Sequence, residues 1–190
     1  MARALRADAE RSVRAILEAA ERVLADDAGA SMEQIAEAAG LTRITVHRRF
    51  ANRQALLEAL SVSAMQQLLD AIEEARPNSA PALVAMYRVT ANVLRVKSAW
   101  RFTLSHNASL SEAAAALWAD IDAHTIDLMA RAQREGLIAP TTDLEWMRQV
   151  YYALMTEALN RPGAKQDSED LDALATLVID TLLHGGGPRG

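Results

Sequence analysis

The stretch SMEQIAEAAGLTRITVHRRF, from Ser31 to Phe50, contains two short amphipathic segments that meet at one glycine. Ser31 and Gln34 can form a capping box at the start of the first segment, because each side chain can bond the other residue's backbone amide. Gly40 can end that helix with a positive φ, and Thr42 can cap the next one. Two short helices joined by a tight glycine turn predict a helix-turn-helix.

The second helix of this pair carries an isoleucine opposite its core side. With Val46 facing the core and 100° of rotation per residue, Phe50 stays on the core side, whereas Ile44 and Arg48 point away from it. An aliphatic side chain can contact the methyl group of thymine, and arginine is the usual bidentate partner of guanine. We therefore predict that this face reads the major groove of DNA. The alternative interpretation is a solvated helical hairpin whose arginines contact only water.

The charge distribution is compatible both with DNA binding and with a solvated helix face. The chain has a net charge of −5, yet the segment 42–53 has four arginines and no acid. Thr42, His47 and Arg49 are placed for phosphates, and Arg53 adds its charge to the positive end of the following helix. The candidate DNA-contacting residues are Ser31, Thr42, Arg43, Ile44, Thr45, His47, Arg48, Arg49 and Arg53.

The rest of the sequence also has helical periodicity, so we expect an all-α protein. Helices are predicted at about 8–26, 53–75, 82–96, 100–106, 111–135, 143–160 and 169–183, with Thr142 as the N-cap of the helix at 143–160. We predict two domains, residues 1–57 and 58–190, linked by the long helix at about 53–75, after which RPNSAP (76–81) breaks the chain.

The segment ILEAAERVLADDAGASMEQIAEAAGLTRITVHRRFANRQALLEAL, Ile16 to Leu60, resembles the DNA-binding domain of TetR-type transcriptional regulators. The resemblance implies an N-terminal three-helix domain with the helix-turn-helix and a C-terminal helical domain for ligand binding and dimerisation. It further implies a homodimer that represses transcription from a palindromic operator and is released by a small molecule. The sequence departs from the family at His47, where tyrosine is usual, and at Ile44, where glycine or alanine is usual. These departures leave open a helical small-molecule-binding protein that has lost DNA recognition, and activation in place of repression also stays open.

The aromatic and apolar residues of the C-terminal half provide candidates for an effector pocket, since such pockets are mostly apolar with a few polar groups. They predict an apolar or weakly polar effector, although core packing is the alternative for each residue. The candidates are Met65, Leu69, Tyr87, Trp100, Thr103, His106, Trp118 and Tyr151.

Two apolar stripes near the C-terminus suit a symmetric four-helix interface between two copies of the chain, although such stripes more often pack within one subunit. The candidate interface residues are Leu144, Met147, Met155, Leu159, Leu171, Leu174, Val178 and Leu182.

Other functional classes have little support in the sequence. The chain has no cysteine and no catalytic or phosphate-binding motif, so we expect neither an enzyme nor a cofactor. Asp120, His124 and Asp127 have a spacing that could bind a metal, but a solvated acidic face is the preferred interpretation, and no metal is expected. Without a signal peptide or a long apolar run, we expect a cytoplasmic protein with no membrane partner.

Overall fold

The computed structural model describes residues 2–106, 111–162 and 168–185, and these residues form nine α-helices and a short 3-10 helix at Pro77–Ser79. The predicted all-α class is confirmed. The first helix begins earlier than predicted, and the fifth extends three residues further. The helices are α1 (Ala2–Asp26), α2 (Met32–Ala38), α3 (Arg43–Arg49), α4 (Arg53–Glu74), α5 (Ala82–Ala99), α6 (Arg101–His106), α7 (Glu112–Arg134), α8 (Leu144–Asn160) and α9 (Ser168–His184).

The chain divides into two compact units. The first comprises Met1–Ala64 and Trp100–Ala115, and the second comprises Met65–Ala99 and Ala116–Gly190. The first unit therefore contains a segment that is distant in sequence from the helix-turn-helix. The predicted domain boundary between residues 57 and 58 stays a prediction.

Each of the helices α1, α2, α3 and α4 contributes at least one buried side chain to the core of the first unit. Ile16 on α1, Ile35 on α2, Val46 on α3 and Leu56 on α4 are each fully buried. Burying a side chain of this size contributes roughly 1.5–3 kcal/mol. The short α2 and α3 thus depend on tertiary packing, because isolated helices of seven residues are not stable in water.

The turn between α2 and α3 is a Schellman motif. The amide of Gly40 donates to the carbonyl of Glu37, and the amide of Leu41 donates to the carbonyl of Ala36, both at 3.0 Å. Gly40 has a φ of +65°, a conformation that costs other residues roughly 1–2 kcal/mol. The predicted glycine turn is confirmed, as are the Ser31–Gln34 capping box and the Thr42 cap.

The segment Trp100–Ala115 joins the first unit through a buried carboxylate on α1. Glu21 is 5% exposed, and its oxygens accept hydrogen bonds from the amide of Phe102 at 2.6 Å and the amide of Thr103 at 3.1 Å. The hydroxyl of Thr103 also donates to this carboxylate. A buried carboxylate is stable only when it is hydrogen-bonded, so these donors determine where the first turn of α6 lies against α1.

The second unit packs α5 against both α8 and α9. Leu94 on α5, Met129 on α7 and Ile179 on α9 are among its buried side chains. The predicted N-cap of α8 at Thr142 is wrong by one residue. The cap is Asp143, whose carboxylate accepts from two amides of the first turn and carries the negative charge that a helix N-terminus favours.

Within the described part of the chain, no helix is long and apolar enough to cross a membrane.

Candidate DNA-binding surface and effector cavity

The outer face of α3 is held in place by the residues on its opposite side. Val46 is fully buried, and Phe50 is 7% exposed. The hydroxyl of Thr42 accepts from the amide of Thr45 at 3.2 Å, and the two threonine hydroxyls are 2.9 Å apart. These contacts fix both the start and the rotation of α3, so the direction of its outer face is determined by the fold.

The outer face presents one large apolar side chain to solvent. Ile44 is 80% exposed, and Arg48 and His47 beside it are also exposed, whereas Thr45 is half-buried. The predicted orientation of Ile44 and Arg48 away from the core is thus observed. This exposed isoleucine adds little to the stability of the isolated subunit and leaves an apolar side chain available for contact with a partner.

The four arginines of the basic segment have different surroundings. Nε of Arg43 pairs with Glu33 at 2.8 Å across the α2–α3 turn. Arg49 is half-buried, and its Nε atom has no hydrogen-bond partner in the described structure. Arg48 forms no ion pair with any described residue and is therefore the arginine most free to reach a base.

Arg53 makes contacts that the sequence did not indicate. Its two terminal nitrogens donate to the carbonyls of Ala30 and Ala28, the latter at 2.6 Å. These carbonyls belong to the loop between α1 and α2, so Arg53 ties that loop to the start of α4. Ser31 likewise uses its hydroxyl to cap α2. The DNA contacts predicted for Arg53 and Ser31 stay predictions beside these structural roles.

A cavity of about 70 Å³ lies inside the second unit, which is enough for several water molecules. Its lining is mostly apolar, as effector sites usually are, and comes from α4, the 3-10 helix, α5, α7, α8 and α9. The lining residues are Leu68, Ile72, Pro77, Met86, Val89, Val93, Lys97, Trp118, Ile121, His124, Thr125, Leu128, Met129, Tyr151, Tyr152, Met155 and Ile179.

Three aromatic rings form a continuous part of this lining. The ring centroids of Trp118 and Tyr152 are 5.4 Å apart, and those of Tyr151 and Tyr152 are 5.8 Å apart, within the range of favourable aromatic contacts. The guanidinium of Arg148 lies 5.4 Å from the centroid of Tyr152, a cation–π distance. The cavity wall therefore includes three aromatic rings, tilted by 57° and 40° between neighbours, which hold one another in place.

Burial changes the acidity of both tyrosines. Burial raises the pKa of Tyr151 to about 12, and a hydrogen bond with Thr90 partly opposes that shift. Burial also raises the pKa of Tyr152, with a further increase from the carboxylate of Asp122. Both tyrosines are therefore neutral at physiological pH. Each presents an apolar ring, and each hydroxyl is already hydrogen-bonded to another residue of the protein.

The predicted pocket residues are distributed over both units. Trp118 and Tyr151 line the cavity. Trp100 and Thr103 belong to the first unit, where Thr103 is bound to Glu21. The side chain of His106 lies outside the described residues. Met65, Leu69 and Tyr87 belong to the second unit but do not line the cavity, and the hydroxyl of Tyr87 donates to Asp180.

The lining residues that sequence reasoning missed are mainly aliphatic side chains and methionines on α4, α5 and α7. Their helical spacing marks them as core, and nothing local separates a core position from a cavity wall. His124, one of three residues whose spacing could suit a metal, is also part of the lining. Its Nδ1 atom donates to the carbonyl of Asp120 at 2.7 Å, so this ring faces the cavity with one nitrogen already committed.

Most of the predicted interface residues are buried by their own subunit. The buried ones are Met147, Met155, Leu159, Leu171, Leu174 and Val178, while Leu144 and Leu182 are half-buried. The large apolar residues exposed on the same two helices are Trp146, at 63%, and Leu177, at 42%. A face that could meet a second copy is therefore rotated away from the predicted stripes.

Comparison with known proteins places this architecture in a family. The family model for bacterial regulatory proteins of the tetR family matches residues 16–60. The HTH-type transcriptional repressor LfrR of Mycolicibacterium smegmatis is 37% identical over 177 residues, which is 93% of this chain and 90% of LfrR.

Solved structures give the same result. The structure of LfrR from Mycobacterium smegmatis in complex with proflavine has a TM-score of 0.75 and 28% identity, covering 95% of this chain and 99% of that one. The regulator PfmR from Thermus thermophilus has a TM-score of 0.75 at 20% identity, covering 91% and 99%, and supports the fold alone. The chain belongs to the TetR family of bacterial regulatory proteins. Its predicted class, a ligand-responsive DNA-binding transcriptional regulator, is confirmed at the level of the family.

Proposed function

We propose that this protein is a cytoplasmic homodimeric repressor, not an enzyme, which binds a palindromic operator and is released by a small molecule with a largely apolar body. The observation that carries the proposal is the outer face of α3. A fully buried Val46 orients the helix, and Ile44 and Arg48 project from its opposite side. That arrangement matches a recognition helix, whose exposed side chains contact base edges in the major groove.

Within this proposal, the residues of the basic segment divide between bases and phosphates. Arg48 is proposed to bind guanine and Ile44 to contact a thymine methyl group, flanked by Thr45. Thr42, His47 and Arg49 are proposed to contact phosphates, which fix register but carry no base preference. Arg43 is proposed to exchange Glu33 for DNA, since that ion pair is exposed and exposed pairs contribute only about 0–1 kcal/mol.

The cavity of the second unit is the proposed effector site. The similarity to LfrR, whose solved structure contains proflavine, supports a small-molecule effector for this chain. A switch of this kind needs a coupling free energy of about 1–3 kcal/mol between effector and operator binding, which lowers operator affinity roughly 5- to 150-fold.

Dimerisation is proposed to involve the outer faces of α8 and α9. Trp146 and Leu177 leave apolar surface exposed on both helices, and tryptophan is enriched among residues that dominate interface energies. Mass determination in solution tests this proposal. Trp146→Ala should shift the protein toward monomer, whereas substitution of the exposed Val84 on α5 should not.

The test of the function is selection of randomised duplex DNA by the purified protein without effector, followed by sequencing of the bound pool. We expect an inverted repeat whose half-sites lie roughly 34–36 Å, or a multiple of one helical turn, apart. The matched control is the double variant Ile44→Ala, Arg48→Ala, which alters only exposed side chains and should enrich no site. An unenriched pool for the unmodified protein would contradict the proposal and favour a ligand-binding protein that has lost DNA recognition.

A further inference from the structure

The polar groups that line the cavity are mostly committed to protein partners. Thr125 donates its hydroxyl proton to the carbonyl of Ile121 at 2.9 Å. The hydroxyl of Tyr152 lies 2.9 Å from a carboxylate oxygen of Asp122 and 3.1 Å from Thr125. A hydroxyl has one proton to donate, so neither group can donate a further hydrogen bond to a ligand without losing one.

The same holds for Tyr151. Thr90 donates its hydroxyl proton to the carbonyl of Met86 at 2.7 Å. In the 2.8 Å contact between the hydroxyls of Thr90 and Tyr151, the proton must therefore come from Tyr151. His124 has its Nδ1 proton on the carbonyl of Asp120, which leaves Nε2 as an acceptor when the ring is neutral.

Two hydrogen-bond donors of the lining are not bonded to another part of the protein in this way. The ammonium group of Lys97 and the indole N–H of Trp118 have no hydrogen-bond or ion-pair partner among the described residues. An ammonium group has three protons to donate and no lone pair to accept with. These two donors therefore lack a hydrogen-bond acceptor, and an acceptor with negative charge would suit the ammonium group best.

Lys97 is an unusual residue in this chain. It is one of only two lysines, against eighteen arginines. It is half-buried at the end of α5, and burial lowers the pKa of its ammonium group, because an apolar environment disfavours the charged form. A bound anion would offset that desolvation cost, since a buried charge is stabilised by a hydrogen-bonded partner of opposite sign.

The lining of the cavity has no carboxylate that could pair with a cation. None of its seventeen lining residues is an aspartate or glutamate. Asp122, a carboxylate behind the lining residue Tyr152, accepts from the hydroxyl of that tyrosine and pairs with Arg148 at 2.8 Å. Its charge is thus already compensated, and a cationic ligand would instead meet the like charge of Lys97.

We propose that the effector is an aromatic monocarboxylate, whose ring lies against Trp118, Tyr151 and Tyr152 and whose carboxylate pairs with the ammonium group of Lys97. The inference rests on the proposed function, because it assigns a ligand class to the proposed effector site. The sequence predicts an apolar or weakly polar effector. The proposal replaces that prediction with a more specific one, a molecule with an apolar body and one anionic group.

The test is calorimetric titration of the full-length protein with three probes that share one ring system. These are benzoate, the neutral benzamide and the cationic benzylammonium. We expect benzoate to bind at least about tenfold more tightly than the amide and the ammonium compound to bind most weakly. Lys97→Met keeps an unbranched apolar side chain of similar length and should remove the preference for benzoate while leaving amide binding nearly unchanged.

The matched control is Arg88→Met, which removes a positive charge from an exposed position on the same helix and should leave all three affinities unchanged. Circular dichroism checks that each variant is folded, and Lys97→Gln provides a second substitution if the methionine variant is not. Any of four results would overturn the assignment. The amide and the carboxylate could bind equally, or the preference could be unchanged in both Lys97 variants. The ammonium compound or the cationic dye proflavine could bind more tightly than the carboxylate, or no probe could bind. The operator selection described above uses no ligand, so its outcome tests the proposed function separately.

Discussion

Replacing Glu21 with glutamine should destabilise the first unit, because a single carboxylate joins α1 to the start of α6. One oxygen accepts from the amide of Phe102 at 2.6 Å, and the other accepts from the amide of Thr103 at 3.1 Å and from its hydroxyl. Glutamine has nearly the same shape but only one accepting oxygen, so the substitution changes hydrogen bonding and charge while preserving packing.

The magnitude follows from counting the groups that change. The bond to Phe102 can persist as a neutral hydrogen bond, which is weaker than a charge-assisted one by about 1 kcal/mol. The new amide nitrogen faces two donors of Thr103. The hydroxyl can turn and accept, but the backbone N–H of Thr103 cannot, and an unsatisfied buried donor costs about 1–3 kcal/mol. We therefore expect Glu21→Gln to lower the free energy of unfolding by about 2–4 kcal/mol.

Urea unfolding followed by circular dichroism measures this difference, with all variants at one protein concentration because the stability of the proposed dimer would depend on concentration. The control is Glu18→Gln, an exposed position one turn earlier on α1, for which a change within about 0.5 kcal/mol is expected. If Glu21→Gln were as stable as the control, the carboxylate would not be what holds α6, and the reasoning from its hydrogen bonds would be refuted.

Three further predictions concern arginine and tyrosine side chains. Arg48→Ala should cost about 1–3 kcal/mol of binding to the selected operator with a smaller effect on random DNA, and equal losses on both in a filter-binding assay would remove its proposed role at a base. Arg53→Ala should lower the free energy of unfolding by about 1–3 kcal/mol, because two charge-assisted bonds to the loop before α2 are lost; thermal unfolding unchanged from the parent protein would contradict this. Tyr151, whose pKa is raised to about 12 by burial, should stay protonated in the folded protein at about pH 11, where an unfolded tyrosine ionises. Since the folded state holds that proton more tightly, the contribution of Tyr151 to stability is complete below about pH 10 and is lost as the pH rises toward 12. An absorbance titration with Tyr151→Phe as reference checks the assignment. A Tyr151 ionisation near pH 10 in the folded protein would count against it.

The local features of the helix-turn-helix could be predicted because each depends on residues only a few positions apart. The capping box joins Ser31 to Gln34, the Thr42 cap reaches Thr45, and Gly40 closes a turn of its own neighbours. Helical periodicity also gave the outward direction of Ile44, since the direction of a side chain on a helix follows from its position relative to a core residue.

The lining of the proposed effector cavity could not be predicted in the same way. Its lining combines residues from α4, α5, α7, α8 and α9, and the relative rotation of those helices is set by packing that no local pattern encodes. Thr103 illustrates the problem, because a polar residue in an apolar stretch suggests a pocket until its partner Glu21 is found 82 residues earlier. The interface residues stay a prediction, because most side chains of the regular apolar stripes on α8 and α9 are buried by their own subunit and helical spacing alone does not separate such positions from an interface.

The arginines near the recognition helix show why counting charges overstates the electrostatic contribution to DNA binding. Four arginines lie between Thr42 and Arg53, and each one that neutralises a phosphate should contribute about −0.9 to the slope of log affinity against log salt. Arg53, however, is occupied by loop carbonyls. If Arg43 leaves Glu33 for a phosphate, the freed carboxylate recruits a cation from solvent, which offsets the cation that DNA releases. The salt dependence of operator binding should therefore be smaller than the number of arginines suggests, and a shallow slope is compatible with specific recognition through Arg48 and Ile44.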